Sequence, residues 1–109
     1  MPYMEPVYNI LEKHHGKVIY FDFWARWCPP CLAEMEPLKQ LRSKYSTKDL
    51  VIYSICVSEP KEEWEECLNE YSLKNRGIEC IYASDYFGKD NLQKIRKQWK
   101  IDRTVSYTH

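Results

Sequence analysis

A chain of 109 residues fits one domain and can bury an ordinary core without metals or disulfides to hold it together. Sixteen basic and sixteen acidic side chains cancel, and the sequence pI is about 6.8, so nothing points to nucleic acid or an anionic membrane as partner. No apolar run approaches the roughly 18 residues that a membrane helix needs, so no membrane span is expected.

Residues 1–15, MPYMEPVYNILEKHH, read as a polar lead-in. They lack the charged and then long apolar pattern of a secretory leader, which leaves a cytosolic chain or a mature form. Lys17 to Trp24 (KVIYFDFW) predicts a strand buried on both faces, because its apolar residues run continuously and are β-branched or aromatic. That places Asp22 in the interior. A helix is expected from Pro29, with Pro30 suited to its first turn and Leu32, Met35, Leu38, Leu41 and Tyr45 on one apolar face. Pro37 should kink it, since its ring clashes with the carbonyl of Ala33 and removes one backbone bond.

Leu50 to Val57 (LVIYSICV) reads as a second apolar strand. Ser58 and Pro60 open a second helix that carries Trp64, Cys67, Leu68 and Tyr71 on one face, and Gly77 is expected to end it. Ile78 to Tyr82 is a short strand, Asp90 a cap for a third helix with Leu92, Ile95 and Trp99, and Thr104 to Thr108 a last short strand. No internal repeat, low-complexity tract or linker divides the chain, so residues 1–109 read as a single domain. Alternating strands and helices predict an α/β fold, a central sheet with right-handed crossovers flanked by helices.

Five cysteines are an odd number, which favours one special pair plus free thiols over a fully paired scaffold. Cys56, Cys67 and Cys80 fall on predicted core faces, where cysteine behaves as a small hydrophobe. Cys28 and Cys31 bracket two prolines just where strand gives way to helix. A thiol reacts as thiolate, and a free cysteine with a pKa of about 8.5 is mostly protonated at neutral pH. A helix start offers unpaired N–H groups and the positive end of the dipole, which favour a negative sulfur at Cys28. Cys31, one turn later, is placed to close a disulfide and resolve a mixed disulfide formed at Cys28. Pro29 and Pro30 remove two backbone donors and so tune the potential. A buried carboxyl has its pKa raised, which suits Asp22 to exchange a proton with Cys31; the alternative is a carboxylate held by hydrogen bonds to a nearby loop. His14 and His15 are weak metal ligands, because one CxxC without a second ligand pair does not make a zinc site; no metal is expected.

The stretch DFWARWCPPC, preceded by VIYF and followed by Glu34 and Pro37, resembles the active-site signature of the thioredoxin superfamily. LAEMEP at 32–37, LVIYSICVSE and Trp64 on the next helix resemble its TlpA/ResA-like thiol:disulfide oxidoreductases, over roughly residues 16–103. The resemblance implies a thioredoxin-like fold in which Cys28 is the exposed nucleophile, Cys31 the resolving thiol, Asp22 the buried acid and Glu34 the acid one turn into the helix. Trp27 would flank the nucleophile and shape the docking surface. It implies protein thiols and disulfides as partners, no cofactor beyond the Cys28–Cys31 pair, and an extracytoplasmic location, with the cytoplasm as the other option.

Members of that family carry a cis-proline loop opposite the cysteines, then an antiparallel hairpin and a final helix. Here the proline position falls near Val105, and no proline follows Pro60. A non-proline cis bond costs roughly 2.5–4 kcal/mol, so Val105 is not expected to reproduce that loop. The expected fold therefore lacks the C-terminal hairpin and last helix, with residues 104–109 a shortened end. An apolar first strand left with an uncovered edge invites pairing with a second copy of the chain. Two functions follow: an oxidoreductase, which retention of Asp22, Trp27, Cys28, Pro30 and Cys31 favours, or a thioredoxin-like dimerisation module with weak or no redox activity.

Overall fold

The computed structural model describes residues 2–99. The chain opens with a 3-10 turn at Pro2–Met4 and runs directly into α1 (Glu5–Lys13). Pro6 lies in the first turn, where a missing N–H leaves no helical bond unmade. Val7 and Ile10, three apart, are buried, and Met4 is buried with them. Glu5 in the first turn and Lys13 in the last complement the helix dipole. The expected polar lead-in is thus mostly a helix; its buried residues are few, and Tyr8 and Leu11 among its apolar residues face solvent, which blurs the pattern. Gly16, at φ +88°, turns the chain out of α1; a Cβ there would meet nothing within 4 Å, so the demand is conformational.

Three parallel strands follow in the order β1 (Val18–Trp24), β2 (Leu50–Cys56), β3 (Ile78–Tyr82) among the described residues. β2 is central and buried at every position, which accounts for its unbroken apolar run. β1 is an edge strand and is not buried on both faces throughout: Val18 is 67% and Tyr20 39% exposed, and full burial begins at Asp22. Alternation sorts β1 into two faces. Ile19, Phe21 and Phe23 form one; Phe21 lies 5.9 Å from Tyr53 and Phe23 stacks on Trp99 at 4.3 Å between ring centroids. Tyr20, Asp22 and Trp24 form the other, with Asp22 opposite Ser54 and Trp24 opposite Cys56 in the register.

The single kinked helix expected after β1 is two helices, α2 (Pro29–Ala33) and α3 (Met35–Lys44), parted at Glu34. Pro37 has no N–H to give the carbonyl of Ala33, so the ladder breaks there instead of bending. Leu38 N–H donates to the Glu34 carbonyl at 2.9 Å and starts α3 afresh. α4 (Lys61–Glu70) buries Cys67 and Leu68 and half-buries Trp64 and Tyr71, as its spacing predicts. It ends at Glu70, well before Gly77, because Ser72 (φ 54°) and Asn75 (φ 60°) already leave the helical region. β3 occupies the residues expected of it. α5 (Ala83–Phe87) follows without a loop and is too short to show a period in sequence. α6 (Leu92–Gln98) starts after a 3-10 turn at Lys89–Asn91, with Asn91 rather than Asp90 at its N-cap. Leu92 and Ile95 anchor it in the core. The strand at 104–108, the Val105 position and the absence of a hairpin and last helix lie outside the described residues.

Candidate active site

At its C-terminal end β1 passes through Ala25, Arg26 and Trp27 and meets α2 at Cys28. Three hydrogen bonds hold this turn. Cys28 N–H donates to the Ala25 carbonyl at 3.1 Å, Arg26 N–H to the Ser58 hydroxyl at 3.0 Å, and Val57 N–H to the Trp24 carbonyl at 2.8 Å. Ser58 is 1% exposed, so the turn rests on a buried shelf formed by the residues just after β2.

Cys28 is the N-cap of α2, and Pro29 and Pro30 are its first two residues. The Cys28 carbonyl accepts from Leu32 N–H at 3.1 Å, closing the first helical bond. A disulfide joins Cys28 to Cys31 across a Cα separation of 5.3 Å. Cys31 is 1% and Cys28 8% exposed. The exposed nucleophile implied by the resemblance is thus nearly buried in this oxidised form. The helix is also a smaller source of activation than expected: it has five residues, and its first two have no N–H to offer an anion.

Asp22 is 3% exposed, and α2 packs against the strand that carries it. Burial first, and then the charge of Glu34, push its carboxyl up to about 7. Asp22 Oδ2 is buried and makes no hydrogen bond among the described residues. Glu34 sits half-buried at the α2–α3 junction. Tyr20, two residues before Asp22 on the same strand face, has its hydroxyl pKa raised by burial and then by Asp22 and Glu34. Period-two spacing was the signal that would have found it.

Trp27 is half-buried, with the Arg96 guanidinium 5.7 Å from its ring centroid; Pro29 is exposed and Pro30 half-buried. Arg26, Ser58 and Arg96 were not read from the sequence as site residues, since their contacts are made across the fold. The other thiols are held protonated. Burial raises Cys56, whose Sγ lies 3.3 Å from the Ser58 hydroxyl, and raises Cys67 against the opposing pull of Arg26 at 3.6 Å. Cys80 is only half-buried on β3, which is the other edge strand among the described residues, yet burial still pushes it up to about 11. His14 Nε2 lies 2.8 Å from the Tyr53 hydroxyl, a polar pairing on the core and not with the motif cysteines.

A parallel sheet whose strand ends in a disulfide at a helix start, with an acid buried in that strand, defines a thioredoxin-like protein with a dithiol site. The Redoxin family model matches residues 7–107, and the chain belongs to that family, as a TlpA/ResA-like member of the thioredoxin superfamily. It is 30% identical to the thiol-disulfide oxidoreductase ResA of Oceanobacillus iheyensis, over 89% of this chain and 58% of that protein. With ResA of Bacillus thuringiensis the identity is 34%, over 59% of this chain and 37% of the relative. The chain thus spans about half the length of these curated relatives. A solution structure of a Bacteroides vulgatus protein assigned to the thiol-disulfide oxidoreductases matches with a TM-score of 0.57 and 33% identity, over 85% of this chain and 55% of that one. The thioredoxin domain of thiol-disulfide oxidoreductase BVU-2223 from the same organism matches with a TM-score of 0.65 over 91% of this chain and 64% of that one; at 21% identity it supports the fold alone. Among the described residues no helix is long and apolar enough to cross a membrane.

Proposed function

We propose that the chain is a thiol:disulfide oxidoreductase that exchanges disulfides with protein partners through Cys28-Pro29-Pro30-Cys31. The observation that carries this reading is the Cys28–Cys31 disulfide at the start of α2, on a helix packed against the strand of the buried, raised Asp22. In the reducing direction, the Cys28 thiolate attacks one sulfur of a partner disulfide, forms a mixed disulfide and releases the other partner sulfur as a thiolate. Asp22 takes the proton of Cys31. The Cys31 thiolate then attacks the Cys28 sulfur, frees the second partner thiol and leaves Cys28–Cys31 oxidised. Two electrons pass from the dithiol to the partner, and the reverse sequence oxidises a partner dithiol. A carboxyl with a pKa near 7 suits that proton exchange at neutral pH. Glu34 sets the charge around Asp22, while Trp27, Pro29 and Pro30 form the face the partner meets. The two sulfurs carry the electrons without another cofactor, and by resemblance to its relatives the protein works outside the cytoplasm.

A redox titration against glutathione, read by thiol trapping and mass spectrometry, tests this. The expected result is one reversible two-electron transition at Cys28 and Cys31, between roughly −270 and −120 mV, values found at the reducing and oxidising ends of well-known dithiol proteins. Cys28→Ser removes it. A parent chain with no transition overturns the reading.

A second reading, homodimerisation along the edge of β1 that is unpaired among the described residues, is favoured by the exposure of Val18 and Tyr20 at the start of that strand. With a dimer but no redox transition, the chain is an assembly module that retains a redox motif.

A further inference from the structure

Arg96 belongs to α6 and reaches the turn from across the fold. Its neighbour Ile95 is wholly buried, so this part of the helix is fixed to the core. Arg96 Nε donates to the Val57 carbonyl at 2.9 Å, a bond spanning 39 positions of sequence. The same guanidinium lies 5.7 Å from the centre of the Trp27 ring, within cation–π range. Val57 in turn donates from its own N–H to the Trp24 carbonyl, the last residue of β1. One side chain therefore ties together α6, the shelf after β2 and the aromatic ring that precedes Cys28.

We infer that Arg96 is a positioning residue for peptide disulfides: by holding the Trp27 ring against the Val57 shelf it presets the face on which a partner chain docks beside Cys28. The inference rests on the thiol-exchange reading and adds to it a determinant of which disulfides are taken. A planar guanidinium satisfies both demands at once, one N–H in the plane for the carbonyl and one face for the ring. Lysine can supply the charge over the ring but lacks that fork. A partner peptide large enough to lie across Trp27 depends on the ring's placement, whereas a small disulfide that meets only Cys28 does not.

The test compares the parent, Arg96→Met and Arg96→Lys, each checked for folding by its thermal midpoint, on two substrates: a peptide with one intrachain disulfide, and hydroxyethyl disulfide. Loss of the cation–π contact that fixes the ring corresponds to about a tenfold effect. Arg96→Met should raise KM for the peptide by about that factor with kcat little changed, leave hydroxyethyl disulfide turnover within about twofold, and be partly rescued by Arg96→Lys. A peptide KM equal to the parent's, or an equal loss on both substrates, overturns the inference. A parent inactive on both substrates instead overturns the thiol-exchange reading. The indole N–H resonance of Trp27, assigned by Trp27→Phe, reports on the ring independently of turnover. If that resonance stays put in both Arg96 variants, the ring does not depend on Arg96 and the inference falls.

Discussion

At the scale of single residues, Asp22 is where the fold meets the proposed chemistry. Its carboxyl sits near pH 7 in the fold and at 3.8 when free, so between those values the native state holds a proton that the unfolded chain has released. The contribution of Asp22 to stability is therefore fully present below about pH 4 and is lost as the pH rises through 7, a change on the order of 4 kcal/mol. Asp22→Asn removes the ionisation, keeps the shape and flattens this part of the curve. Urea unfolding at pH 3.5, 5 and 8 checks it: the advantage of the variant over the parent should grow with pH and be greatest at pH 8, and parallel curves would mean that another group titrates. Disulfide exchange by the same variant should slow by about a hundredfold, the lower range for a lost general acid–base group. Asp22, Cys28 and Cys31 were legible in sequence because each sits where its type needs a reason: an acid in an apolar strand, two thiols one turn apart across prolines. Arg26, Ser58 and Arg96 were not legible, because no local pattern records that residue 96 meets residue 57 or that residue 26 meets residue 58.

At the scale of elements, the helices were harder to read than the strands. Strand runs such as LVIYSIC betray themselves by unbroken burial, whereas α1 shows only two fully buried side chains in nine residues and begins among prolines. If α1 is an integral layer, truncating its buried side should cost what a core site costs. Ile10 is 3% exposed, and Ile10→Ala should destabilise the chain by about 2–4 kcal/mol, seen as a lower urea midpoint with an unchanged slope. A loss below about 0.5 kcal/mol, the range of surface substitutions, would show that α1 is peripheral. The break at Glu34 was half legible: Pro37 announced a disturbance, but whether a proline bends or divides a helix depends on what holds the two halves. Here α2 holds the disulfide and α3 buries Met35 and Leu38, and Glu34 is left at the joint near Asp22.

At the scale of the whole molecule, the proposed self-association falls on the outer edge of β1. Among the described residues β1 pairs only with β2, and Val18 and Tyr20 at its start line, with Leu41, Tyr45, Asp49 and Leu50, a groove of about 650 Å³. Unpaired strand groups beside apolar side chains are the arrangement from which sheets extend between chains. Val18 is 67% exposed and two thirds of its surface is free to be covered by a partner, so a charge placed there strikes association while leaving the monomer within about 0.5 kcal/mol of the parent. In sedimentation equilibrium the parent's average mass should rise from monomer toward dimer with concentration, and Val18→Lys should remain monomeric over the same range. Cys28→Ser should associate like the parent, because the edge at Val18 and the disulfide turn lie at opposite ends of β1. A parent that stays monomeric at every concentration removes self-association and leaves exchange as the sole proposed activity. A dimer that survives Val18→Lys keeps association but moves the interface away from this edge.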